Sequence, residues 1–98
     1  MNNSNRHFVI INLNASSNLD ESAITRALNR AVDWIEYMPR SWLLWTTSSS
    51  KQWYARLKPV LGPGDKIFVC EVNATNRSGS MPRTFWKFIE EKTSDPAA

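Results

Sequence analysis

Cysteine, histidine and glycine are scarce in this chain. Its 98 residues hold 1 Cys, 1 His and 3 Gly. A lone thiol, Cys70, forms no intrachain disulfide and no metal cluster by itself. A nucleophilic cysteine or serine needs a base, and His7 is the one imidazole, placed at the start of an apolar run with no partner to pair it. Gly62 and Gly64 are followed by a strand-like segment rather than a helix, which removes the phosphate-loop reading. No apolar run exceeds four residues, as in Phe8-Val9-Ile10-Ile11, against the roughly 18 that a membrane span requires. The opening Met1-Asn2-Asn3-Ser4-Asn5 is polar and not basic, so no secretory leader is expected. The reducing cytoplasm is therefore the expected compartment, and Cys70 is expected as a small buried thiol. In that compartment the four Asn-x-Ser/Thr triplets beginning at Asn2, Asn14, Asn73 and Asn76 are chance matches. Basic residues never run together either.

What is present describes a globular chain. Apolar residues make up 42% and charged residues 21%, and the mass of 11.2 kDa suits one domain over 1–98. The ordered core is expected over about 7–92, with frayed ends. The net charge is only +3, but it is unevenly spread. From Tyr37 to Phe88 eight basic residues face two acids, Asp65 and Glu71, a net +6; the remainder carries four against seven, a net −3. Such a split can form a basic face toward nucleic acid. The candidate contacts are Arg40, Lys51, Arg56, Arg83 and Lys87, with Lys58 and Arg77 in the same segment.

His7 to Leu13 reads as a central strand, because β-branched and aromatic residues dominate it. Asn14 to Ser17 is a loop. Asn18 and Glu21 have capping-box spacing, and Ile24, Ala27, Leu28 and Ala31 recur at helical intervals, so a helix is expected over about 19–33. Trp34–Tyr37 and Ser41–Thr47 form a hairpin around Met38-Pro39-Arg40. Ser48 or Ser49 caps a second helix through Trp53, Tyr54 and Leu57, which Pro59 ends or kinks. Gly62 to Asp65 is a turn, Lys66–Val72 a strand, and Asn73–Gly79 a polar loop. Pro82 sits near the first turn of a last helix with Phe85, Trp86, Phe88 and Ile89 on its apolar side, followed by a tail from Thr93. The order β-α-β-β-α-β plus a closing helix is that of an α+β, ferredoxin-like fold. Its four-stranded antiparallel sheet carries two helices on one face.

The polar groups are poor in acid–base chemistry. Asn12, Asn14, Ser16 and Ser17 at the end of the first strand are neutral. Asp33 and Glu36 straddle a helix–strand junction, and their bland reading is two solvated carboxylates. No cofactor or metal is expected. Five tryptophans stand out. Trp42 and Trp45 lie three apart on a strand and so face opposite sides, one toward the core and one toward the other sheet face. That second face either stacks on nucleobases or is covered by a twofold mate or by the last helix; coverage is the reading preferred here. Trp86 is expected to be buried and structural.

From Trp34 onward the chain resembles a known family. Trp34-Ile35-Glu36-Tyr37 with Ser41-Trp42-Leu43-Leu44 is similar to its hairpin. Leu57-Lys58-Pro59 before Gly64-Asp65-Lys66 is similar to its helix-to-strand passage, and Pro82-Arg83 with Phe85-Trp86 to its closing helix. The family is the SinR-like group of short bacterial proteins, related to the small dimeric subunit of the CRISPR adaptation complex and to VapD-type ribonucleases. The resemblance covers about 80 residues. It implies a ferredoxin-like fold and a homodimer. In the nuclease relatives an aspartate at the end of the first strand binds a divalent cation, and the matching position is Asn12. A neutral carbonyl oxygen is a weak ligand for Mg²⁺. The expected function is thus a noncatalytic, dimeric module of a bacterial defence-type or mobile-element system that binds nucleic acid or a partner. The alternatives are a divalent-metal-dependent endonuclease and a protein-interaction or toxin–antitoxin component serving an operon-encoded protein.

Overall fold

The structure is a computed structural model, and it describes residues 5–15 and 18–93. Ser16 and Ser17 of the expected loop, the first four residues, and the tail from Ser94 on lie outside the described residues.

Strand β1 (His7–Asn14) is the spine of the sheet. Both its faces are apolar, which suits a strand flanked on both edges. It pairs antiparallel with β3 (Ser41–Thr46) on one side and β4 (Lys66–Val72) on the other, while β2 (Asp33–Met38) pairs antiparallel with β3. The strand order is β2-β3-β1-β4. With helices α1 (Glu21–Leu28), α2 (Ser50–Leu57) and α3 (Arg83–Thr93), this is an α+β fold: an open four-stranded antiparallel sheet and three helices. It is compatible with a small ferredoxin-like domain. Among the described residues no helix is long and apolar enough to cross a membrane.

Local chemistry sets the element ends. Ser49 and Gln52 form the capping box of α2: Ser49 Oγ accepts from the Gln52 N–H at 3.1 Å, and the Gln52 side chain accepts from the Ser49 N–H at 2.8 Å. Pro59 lies within a 3₁₀ turn, Lys58–Val60, that follows α2 directly and ends it. The cap of α1 is Asp20, whose carboxylate accepts from the Ala23 N–H at 3.1 Å, rather than Asn18. That bond, with the Ser22 hydroxyl second, holds the Asp20 carboxyl below its ordinary range. Helix α1 also stops at Leu28, five residues before the expected end. The Val32 N–H already donates to Trp45 O at 2.9 Å, so the chain must leave the helix to join the ladder. At the other terminus Thr93 belongs to α3 rather than to a tail.

Alternation divides the strands between two cores. On one face Val9, Ile11, Leu13, Trp42 and Leu44 pack with Ile24 and Leu28 of α1 and Trp53 and Leu57 of α2. Trp53 is wholly buried, and its indole N–H donates to Thr46 Oγ1 at 3.2 Å, which satisfies the one polar atom of the ring. On the other face Phe8 and Leu43 pack with Phe88 and Ile89 of α3. Trp42 thus serves the first core and Trp45 the second, and the last helix supplies the cover. Each of these buried side chains contributes about 1.5–3 kcal/mol of transfer free energy.

Candidate functional site

Helix α3 covers only part of its sheet face. Phe88 meets Phe8 with ring centroids 6.5 Å apart, Phe85 meets Tyr37 at 5.5 Å, and Lys92 Nζ reaches Asp33 Oδ2 at 2.6 Å. These contacts tie α3 to β1 and β2. Between its first turns, the end of β4 and the loop 73–81 there remains an open groove of about 560 Å³. Its floor is apolar, with Ile10, Leu43 and Ile89, and its walls include Tyr37, Phe85 and Trp86. Trp86 is half-buried and packs edge-on against Phe85, with centroids 5.3 Å apart. The helix is anchored by Phe88 and Ile89 instead, so the expected burial of Trp86 is corrected.

The loop wall is held from within. Asn73 Oδ1 accepts from the Thr75 N–H at 2.9 Å, an Asx turn, and Arg77 Nη1 donates to Ala74 O at 3.0 Å. Gly79 backs onto the Trp86 ring. From Val72 to Ile89 there is no acid, while Arg77, Arg83 and Lys87 supply three cations. The first turn of α3 carries no acid either, so the positive end of its macrodipole adds to that field. Arg83 and Lys87 are four apart on α3 and share a stripe; Lys87 also lies 4.0 Å from Glu91.

The remaining basic candidates are dispersed. Arg40 occupies the hairpin turn with φ 59°, and its guanidinium pairs with Glu21 in the first turn of α1. Lys51 is exposed on α2, beside Tyr54 and Phe68, and Lys58 is exposed in the 3₁₀ turn. Arg56 stacks over Trp53, 4.6 Å from its centroid, with Nη1 buried and without a hydrogen-bond partner. Burial lowers its pKa, and the neighbouring Arg30 charge adds to the shift. Lys51 and Arg56 belong to the helix layer on the face of the sheet opposite α3. Of the basic candidates, Arg77 lines the groove and Arg83 and Lys87 lie on α3 beside it, while Arg40 pairs with Glu21 and Lys51 and Arg56 lie on α2.

Asn12 projects onto the α3 side of the sheet, outside the groove. Its amide donates to Ser41 Oγ at 3.1 Å and to Tyr37 Oη at 3.4 Å. A shallow depression of about 260 Å³ there is lined by Asn12, Asn14, Ser41, Lys66 and Phe68. It offers neutral groups and a cation. Among the described residues no three His, Cys, Asp or Glu side chains gather where a metal ion could be held. Asp33 and Glu36 do not meet: Asp33 takes Lys92, and Glu36 Oε2 accepts from the Arg40 N–H at 3.0 Å. His7 places its ring nitrogens 2.9 Å from Asn5 O and 2.8 Å from Ser48 O, a structural role. Cys70 is half-buried in β4 with its thiol 3.3 Å from Glu71 O.

Sequence reasoning counted the cations of the 37–88 segment but missed that the polar loop 73–81 forms a wall. The uninterrupted lack of acids from Val72 to Ile89 was the available signal. No family model matches the chain, and no curated protein and no solved structure matches it.

Proposed function

We propose that this chain is a noncatalytic nucleic-acid-binding module with a ferredoxin-like βαββαβ fold, acting in the cytoplasm as a homodimer. The observation that carries this reading is the acid-free stretch from Val72 to Ile89, which walls an aromatic groove and places Arg77 in its lining, with Arg83 opening the helix that forms the other wall. Polyanions are drawn to such a field, and aromatic walls suit bases. The proposal keeps the SinR-like resemblance and a place in a bacterial defence-type or mobile-element system. An endonuclease related to the CRISPR adaptation subunit is disfavoured by chemistry: Asn12 offers only a neutral carbonyl oxygen, and the surrounding depression holds no carboxylate but does hold the cation Lys66.

Dimerisation is supported by the edge strand β4, which ends the sheet at one side, contains neither proline nor bulge, and exposes 59% of Phe68. Such an edge accepts another strand unless it is guarded. The opposite edge, β2, is guarded by a bulge between Glu36 and Met38, whereas β4 is regular and keeps its charges, Lys66 and Glu71, near its ends. Light scattering at micromolar concentration is expected to give twice the chain mass of 11.2 kDa; that mass alone at every concentration would contradict the dimer.

Fluorescence anisotropy with a labelled single-stranded oligonucleotide tests the binding. Three cations neutralising about three phosphates give a log–log salt slope near −2 on a single strand, roughly a 20-fold loss between about 50 and 200 mM salt. Absence of binding at low salt would remove this function and leave the partner-protein reading.

A further inference from the structure

We infer that the groove between α3 and the loop 73–81 takes one unpaired nucleobase of a single strand, stacked on Trp86, with the flanking phosphates held by Arg77 on the groove wall and by Arg83, three residues before Trp86 at the start of α3. The inference rests on the nucleic-acid reading and narrows it to unpaired strands. Its volume, about 560 Å³, lies within the roughly 300–1,000 Å³ of small-ligand sites. The floor is apolar, and the half-buried Trp86 ring stands at the wall with part of its surface open. A ring system with a free π-face fills such a slot; a base held in a duplex presents none. Polar groups for the base edge come from the loop: Asn76, Ser78 and Ser80 line the same groove.

Charge complementarity selects the occupant. An uncharged apolar peptide would fit the floor but leave Arg77 on the wall and Arg83 at the start of α3 without a counter-charge. No acid occurs from Val72 to Ile89, and Arg83 in particular has no acidic partner among the described residues. A nucleotide supplies the flat apolar part and the anion together. Base–aromatic stacking alone contributes about 1–3 kcal/mol, so truncating the ring should cost roughly fivefold to a hundredfold in affinity.

The test compares three labelled probes of one length on the intact chain: a thymine single strand, an abasic strand with the same backbone, and a duplex. The thymine strand is expected to bind at least about fivefold more tightly than either of the others. Trp86→Ala should erase that preference while Trp86→Phe keeps most of it, and Arg83→Gln should weaken all probes together. Equal binding of the three probes would overturn base insertion and leave phosphate binding standing. Binding of none would overturn the underlying function. Should Trp86→Ala not fold, the abasic comparison on the unaltered chain decides alone. Displacement of the thymine strand by an uncharged apolar peptide, but not by a nucleoside monophosphate, would assign the groove to protein and contradict the inference.

Discussion

At the scale of single residues, Arg56 separates charge count from charge use. In sequence it belongs to a basic segment and invites assignment to a polyanion. In the fold its stem and guanidinium lie over Trp53, one nitrogen is buried without an acceptor, and Arg30 repels it. The stacking is worth about 0.5–1 kcal/mol. An unsatisfied buried donor costs about 1–3 kcal/mol. The balance predicts that Arg56→Met, which keeps an apolar stem over Trp53, leaves the melting temperature unchanged or raises it, at about 4–8 °C per kcal/mol in a domain of this size. A clear fall on thermal unfolding would show that the stack outweighs the orphaned nitrogen. Caps were partly legible at this scale. The cap of α2 was narrowed to Ser48 or Ser49, and the Gln52 side chain, which closes the box, selects Ser49. Asn18 and Asp20 both precede α1, and the spacing of Asn18 to Glu21 favoured the residue that does not cap; Asp20 does, its carboxylate accepting from the Ala23 N–H.

Among the elements, the four strands and the second helix were readable because their signals are local: alternation, β-branching, Pro39 in a hairpin turn, Pro59 after a helix. The short extent of α1 was not, since it depends on the ladder that Val32 joins with Trp45, a contact distant in sequence. The closing helix was legible as amphipathic, but the pattern of Phe85, Trp86, Phe88 and Ile89 does not say which surface receives it. In the fold Phe88 and Ile89 enter the second core and Trp86 stays at its margin. Phe88→Ala is accordingly expected to cost about 3–5 kcal/mol, a large share of the roughly 5–15 kcal/mol of a small domain, and Trp86→Ala markedly less. Urea unfolding of the two variants measures this, and a larger loss for Trp86→Ala would place the helix anchor at its other end. That ranking also matters for function, because a side chain that is not needed to hold the helix is free to serve the groove.

Over the whole molecule, the sheet carries one complete helix layer and one partial one. The complete layer, α1 and α2, holds the larger core and spends Arg40 on Glu21 and Arg56 on Trp53. The partial layer leaves the groove; Arg77 lines it, bonded to the Ala74 and Thr75 carbonyls of its own loop, and Arg83, without an acidic partner among the described residues, opens the adjoining helix. The basic bias of the 37–88 segment was visible in sequence; its partition between two sides of a sheet was not, because that requires knowing which helix covers which face. The most direct measurement is a two-dimensional ¹H–¹⁵N NMR titration of the intact chain with a short thymine strand. The account predicts shifts confined to Tyr37, the loop 73–81 and the first turns of α3, including the Trp86 indole N–H, with α1 and α2 unmoved. Shifts centred on Lys51 and Arg56, or on the Asn12 depression with Trp86 silent, would contradict it.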